Sequence, residues 1–464
     1  MKPKKLLILL PDGIGLRNFA FTSFLEIGQN LGWEIVFWNN TPFDLQKEGL
    51  REVKLQGKPL AITDILKRAK IQAELDYFTR IFNDPVYQSY KFPSVKVGLK
   101  QKVKNALVSF FASTSGNEGG LKMLKKKMKA AERRSVFYKE CVKTLEKEKP
   151  DFVFCTNQRP VNAIAPLTAA QDLGIPTGTF IFSWDNLPKA TMVVEADYYF
   201  VWSENMKQEL INYYPEVLPE NVFITGSPQF EPHFDLSLRM EKQKFFREHE
   251  LDIEKKYICF SGDDITTSPD DPQYLLDVAE AVVKINSEGN NLGIIFRRCP
   301  VDFSDRYDHV LEKYPDLIVP IKPEWKQTGG NWSSVFPARE DIGLLINTIL
   351  HSCMVINLGS SMVFDFAIFG KPCLYINYDA KVKANSNWSH VKIYNYVHFR
   401  SMPTKDAVAW VNSMEELQNK IKSSLSSSDA QVEAAQAWFE KINTPPAERS
   451  SIRIWQSLGR IVNS

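Results

Sequence analysis

A chain of 464 residues is too long for one hydrophobic core to grow comfortably, so two domains of roughly 200 residues are expected. Its 57 Lys+Arg against 55 Asp+Glu leave a formal charge of +2, which excludes a protein that coats nucleic acid through a large basic excess. With 12% aromatic and 44% hydrophobic residues, the composition also excludes disorder.

The chain opens on an apolar run at 6–10 that Pro11 and Asp12 stop. This is too short for an export signal and reads as a strand. No run of about 18 apolar residues occurs anywhere, so no transmembrane helix is expected. After Asp12-Gly13-Ile14-Gly15 come a helical spacing over 17–31 and a second strand over 33–38, a βαβ unit that implies parallel sheet. From 57 to 149 the strand rhythm gives way to helical patterns. It resumes with strands at 151–155, 177–182, 198–202 and 222–225 and helices at 161–173 and 204–214. The polar stretch 229–255 reads as an interdomain linker. Then follow strands at 257–260, 292–296, 317–321, 354–357 and 373–376, with helices at 272–287, 341–350 and 362–369. The chain closes on a helix over 445–464 that should pack back towards the first domain.

The expected fold class is therefore α/β, two Rossmann-like doubly wound domains at 1–228 and 256–444, the first carrying a basic helical insertion at about 57–149. Six cysteines (Cys141, Cys155, Cys259, Cys299, Cys353, Cys373) show no C-x-x-C spacing and read as free thiols in a reducing, cytoplasmic setting.

In open α/β sheets ligands lie beyond the carboxyl ends of strands, so the turns after strands are where chemistry is expected. Asp12-Gly13-Ile14-Gly15 allows close backbone approach but lacks the third glycine of a dinucleotide fingerprint. Ser183-Trp184-Asp185-Asn186 follows a strand and offers a stacking ring and polar groups; a capped turn explains it as well. Gly226-Ser227-Pro228 closes the first domain as a cleft wall or a hinge, with Glu231 and His233 nearby as ionisable groups or solvated ones. Arg297-Arg298 ends a strand and suits phosphate, unless Asp302 or Asp305 pairs with it. Gly262-Asp263-Asp264 and Asp270-Asp271 suit a phosphate-facing turn and a helix cap. Gly359-Ser360-Ser361 ends a strand and opens a helix whose N–H groups would bind an anion, with Asp365 four residues on.

The run from Gly359-Ser360-Ser361 through Asp365 to Gly370-Lys371-Pro372 resembles the donor-pyrophosphate segment of GT-B fold glycosyltransferases of the bacterial surface-polysaccharide type, and of the related CDP-glycerol glycerophosphotransferases. The two-Rossmann organisation and closing helix extend the resemblance across nearly the whole chain. It implies a nucleotide-diphosphate sugar as substrate, with no separate cofactor and no metal. The donor phosphates would be held by Arg297, Gly359, Ser360, Ser361 and Asp365, and the nucleobase by Glu324 and Trp325. The acceptor, a saccharide or lipid-linked saccharide of surface polysaccharide synthesis, would meet Gly13, Gly15, Trp184 and Asn186. The phosphotransferases usually carry a histidine where this chain has Arg297-Arg298-Cys299-Pro300, which tilts the reading towards sugar transfer. A CDP-polyol phosphotransferase and a nucleotide-sugar 2-epimerase remain as alternatives.

Inverting transfer needs a base at the acceptor hydroxyl, and Asp12, then Asp185, are the candidates. Residues 91–149 carry 14 Lys and 2 Arg against 5 Glu, a local charge of +11. Within them Val97, Leu99, Val103, Leu107, Phe110 and Phe111 interleave with Lys96, Lys100, Lys102 and Lys104. That pattern suits a helix on an anionic membrane surface at the inner face of the membrane, or a lysine-rich face over an ordinarily packed helix. No nucleic-acid partner is expected.

Overall fold

The computed structural model describes residues 3–91, 98–327 and 335–463. It divides into two compact units, the first comprising the chain up to Gln229 and again from Ile442, the second running from Phe230 to Lys441.

In the first unit seven parallel strands, β1 (Lys5–Leu10), β2 (Glu34–Asn39), β3 (Glu52–Lys54), β4 (Phe152–Cys155), β5 (Thr177–Phe180), β6 (Tyr198–Val201) and β7 (Val222–Ile224), lie in the order β3-β2-β1-β4-β5-β6-β7. Leu6 to Leu10 are wholly buried, the continuous apolar run of a strand covered on both faces. The expected helix over 17–31 is broken into Gly15–Phe19 and Phe24–Asn30. Thr22 donates its hydroxyl to the Asn18 carbonyl and accepts the Phe24 amide, diverting the backbone between the two segments. Among the described residues the basic insertion forms the α-helices Ala61–Ile81, Leu99–Ser113, Glu118–Glu132 and Val136–Glu148. The final helix, Ser450–Asn463, seats Trp455 against the Phe24–Asn30 helix: its Nε1–H donates to the Phe24 carbonyl at 2.7 Å and its ring stacks on Phe24 at 4.7 Å. Only glycine fits at position 28, because a Cβ there would lie 2.1 Å from that indole.

In the second unit β8 (Lys256–Ser261), β9 (Leu292–Arg297), β10 (Ile318–Pro320), β13 (Ser352–Asn357), β14 (Cys373–Ile376) and β15 (Ala409–Val411) form a parallel sheet in the order β10-β9-β8-β13-β14-β15. Two short strands, β11 (Trp325–Gln327) and β12 (Val335–Pro337), pair antiparallel beside it. The stretch read as a polar linker instead contributes a helix, Lys242–Glu248, whose Phe245 and Phe246 pack with Tyr257, Ile295 and Ile321 of this unit. Two apolar residues in a charged run were too weak a signal to reveal that. The doubly wound α/β class expected from the sequence is the observed one. All six cysteines are free.

Candidate functional site

In each sheet the winding reverses at one point, and the carboxyl ends of the two strands there are where an open α/β sheet places a ligand. In the second unit the reversal lies between β8 and β13. Phe260 is in register with Ile356, so the Gly262 and Gly359 turns rise from neighbouring strands.

Gly359 has φ +68, and a Cβ there would stand 2.9 Å from Ile393 and 3.1 Å from Phe399. Both the left-handed backbone and the close wall demand glycine. The Ser360 amide donates to Asn357 Oδ1 at 2.9 Å, the Ser360 hydroxyl accepts the Met362 amide at 3.4 Å, and Tyr375 Oη donates to the Ser360 carbonyl at 2.9 Å. The helix that follows, Met362–Ile368, is only seven residues long. Its Val363 and Phe364 amides turn back to the Ser360 and Ser361 carbonyls. The expected row of free helix amides is therefore largely satisfied within the turn, while Ser361 is exposed and both serine hydroxyls keep a hydrogen to donate.

Asp365 does not face that turn as a free ligand group. It is 6% exposed, and its Oδ1 lies 2.8 Å from His233 Nε2. His233, read from sequence as an optional ionisable group, is 2% exposed and lies between Phe230 and Phe369 at 6.0 Å centroid distance from each. Its Nδ1 has no hydrogen-bond partner among the described residues. Glu231 is buried as well.

Arg297 is already paired: Nη2 forks onto Asp341 at 2.8 and 2.9 Å, both residues are buried, and Nη1 has no hydrogen-bond partner among the described residues. Neither Asp302 nor Asp305 is the partner; Asp302 holds Arg306 at 2.7 Å instead. Burial by itself would raise the Asp341 carboxyl, and the Arg297 charge overrides it, so the group lies below its usual range. Asp341 also accepts the Glu324 amide at 2.9 Å and Trp325 Nε1–H at 2.8 Å. One carboxylate thus ties the β9 tip to the Glu324-Trp325 segment, with the Glu324 side chain exposed and Trp325 half-buried. Arg298 is engaged too, donating to the Ser304 carbonyl at 2.9 Å.

The acidic turn after β8 is closed on itself. Asp271 accepts the Ser268 hydroxyl and the Asp263 amide, and Arg306 donates to the carbonyls of Asp263 and Ser268. Burial raises the Asp271 carboxyl. Lys371 of the Gly-Lys-Pro run is a helix anchor: its ammonium donates to the carbonyls of Ile349 and Leu350 at 2.6 Å each, and to that of Ser352, where the Glu340–His351 helix ends. Burial brings that ammonium down to about 8.

In the first unit the reversal lies between β1 and β4. Asp12, at the β1 tip, accepts Asn157 Nδ2–H at 2.7 Å across it, and the Ile14 amide at 3.2 Å. Asp12 is 8% exposed, and burial raises its carboxyl. The Pro11 carbonyl is held by Asn40 Nδ2–H at 3.1 Å and Asn162 Nδ2–H at 2.9 Å, which fixes the turn. Gly13 stands in this turn. Gly15 is needed for internal packing, because a Cβ there would lie 2.4 Å from Thr156 Oγ1. Trp184 and Asn186 are buried. Gln158 Nε2–H donates to Asn186 Oδ1 at 3.1 Å, and the Phe182 amide donates to Gln158 Oε1 at 3.0 Å. Asp185 pairs with Lys189 and accepts Asn186 Nδ2–H, so its charge is met locally. Asn157, Gln158 and Asp341 were not singled out in the sequence; the first two follow β4 directly, and the strand-tip rule applied there would have found them.

No protein-family model matches this sequence, and no curated protein does. Among solved structures, a Rickettsia africae glycosyltransferase superposes with a TM-score of 0.53 at 11% identity, covering 100% of both chains. The UDP-GlcNAc 2-epimerase from Methanocaldococcus jannaschii gives 0.51 at 16% identity, covering 98% of this chain and 99% of its own. The S. aureus MnaA–UDP co-structure gives 0.52 at 13% identity, covering 100% and 97%. At such identities the likeness is one of fold, the two-sheet GT-B-like architecture.

Proposed function

We propose that this chain is an enzyme acting on a nucleotide-diphosphate sugar, and that it transfers the sugar to a saccharide or lipid-linked acceptor. The observation that carries this reading is the switch point of the second unit, where a left-handed glycine, two serine hydroxyls and a tightly braced turn meet beside the β8 tip. Ser360 and Ser361 donate to the diphosphate, and Trp325, fixed through its indole N–H by Asp341, offers a ring to the base. In the first unit Asp12 is the group that would take the proton of an acceptor hydroxyl. Its raised carboxyl is the better base for that step, since a general base works best with a pKa nearer the working pH. Asp185, matched by Lys189, is set aside.

A second reading, 2-epimerisation of a UDP-N-acetylhexosamine, is supported by the epimerases among the structural neighbours. The discriminating experiment is incubation with UDP-N-acetylglucosamine alone. Appearance of the C2 epimer without any acceptor favours epimerisation, and sugar transfer predicts product only when acceptor is added. A thermal-shift series with UDP, GDP and CDP tests the shared premise, which fails if none of them stabilises the protein.

A further inference from the structure

The helix Leu99–Ser113 turns one side inwards and leaves an apolar stripe on the other. Val108 and Ala112 are buried, and Arg68 Nη2–H donates to Asn105 Oδ1 at 2.8 Å, so the stripe of Gln101, Lys104, Asn105, Val108 and Ala112 packs inwards. At about 3.6 residues per turn, Leu99, Val103, Leu107 and Phe110 fall on the opposite side. They are 79%, 54%, 39% and 61% exposed. Lys100 and Lys102 flank this outward stripe on its two sides, and no acidic residue lies on the helix. On the next helix, Glu118–Glu132, Met123 is 52% exposed beside the exposed Lys122, Lys126 and Lys127. The Lys127 ammonium stands 5.7 Å from the Phe111 ring, joining the two helices. Val97 and Lys96, part of the sequence pattern, lie outside the described residues.

From this arrangement we infer that the outward face of Leu99–Ser113 is a docking surface for an anionic lipid bilayer, on which the helix lies flat. A helix that turns a leucine, valine and phenylalanine stripe to solvent, edged by lysines and free of carboxylates, matches the apolar boundary and the negative headgroups of such a surface. A protein groove would meet the apolar stripe but not the one-sided charge. No helix among the described residues is long and apolar enough to cross a membrane.

The test is co-sedimentation of the full chain with phosphatidylcholine vesicles, with and without phosphatidylglycerol. Binding to the anionic vesicles only, weakened by added salt, is expected. The double variant L107D/F110D, at exposed positions, should reduce partitioning about tenfold or more, with thermal stability and any nucleotide-induced shift unchanged. Lys100→Glu with Lys102→Glu should remove the dependence on anionic lipid. Absence of binding, or binding indifferent to both variants, overturns the inference. So does a concentration-dependent dimer in sedimentation velocity that L107D/F110D dissolves, since that would assign the face to a second copy of the chain.

Discussion

His233 and Asp365, 132 positions apart in the chain, meet at 2.8 Å through Nε2 and Oδ1 in a part of the second unit from which solvent is almost absent. The contact places an imidazole directly behind the helix that follows the Gly359-Ser360-Ser361 turn. Asp365→Ala leaves a buried ring without its hydrogen bond and should cost roughly 2 kcal/mol in urea unfolding. A double-mutant cycle with His233→Ala should give a coupling of about 1–2 kcal/mol. Additivity of the two single changes would mean the pair is not coupled.

Asp341 and Arg297 give a prediction with a pH signature. The Asp341 carboxyl is held below its usual range, so its contribution to stability is fully present above the unfolded-chain value of about 4 and is lost as pH falls through the lower folded value. Asp341→Ala should cost about 3–5 kcal/mol, because a buried guanidinium loses its only carboxylate among the described residues. The acid limb of the wild-type stability curve should be correspondingly steeper than that of the variant, as followed by unfolding between neutral pH and pH about 3.

Asp12 predicts the opposite sign. Its carboxyl is raised by burial, so the folded protein binds the proton more tightly than the unfolded chain, and Asp12 lowers stability as pH rises through the window above the unfolded value. Asp12→Asn should therefore raise the melting temperature at neutral pH by roughly 1–3 °C, a gain that fades under acid conditions. Turnover should fall at least about a hundredfold if Asp12 is the base. An Asn variant with full activity removes Asp12 from the mechanism.

Ser361 is the exposed hydroxyl of the turn, while Ser360 also braces it. Ser361→Ala should weaken nucleoside diphosphate binding by about five- to tenfold, the loss of one hydrogen bond to a charged group, with little change in melting temperature. Ser360→Ala should lower both. Calorimetric titration with UDP would separate them, and equal affinity for wild type and Ser361→Ala would exclude that hydroxyl from the diphosphate.

Glycine substitutions test the geometry without reference to ligand. Gly15→Ala sets a methyl against Thr156 Oγ1 and Gly28→Ala sets one against Trp455, so each should cost about 1–3 kcal/mol. Gly359→Ala adds backbone strain to its contact with Ile393 and should be no milder. Circular dichroism melts are sufficient, and a neutral result at Gly28 would deny the tight seat of the closing helix.

The strands of both sheets were readable because each is an apolar run bounded by turn residues, and burial of both faces requires such a run. Edge strands β3 and β15 were not, since Glu52–Lys54 and Ala409–Val411 are three residues long and take their conformation from a neighbour's hydrogen bonds. The strand-tip turns are legible in the sequence as turns, but the partners of their side chains are not. Arg297 finds Asp341, Asp365 finds His233, and Lys371 finds three carbonyls, each through contacts that no local spacing encodes.

What the sequence by itself determined is the alternation of short apolar runs and helices, hence a parallel, doubly wound chain with its glycine and serine turns at strand ends, because periodicity and backbone freedom are local properties. What only the tertiary structure decided is which polar side chains remain available there. A buried charge is stable only beside its counterpart, and pairing across dozens of residues is set by how the sheet brings its strand tips together.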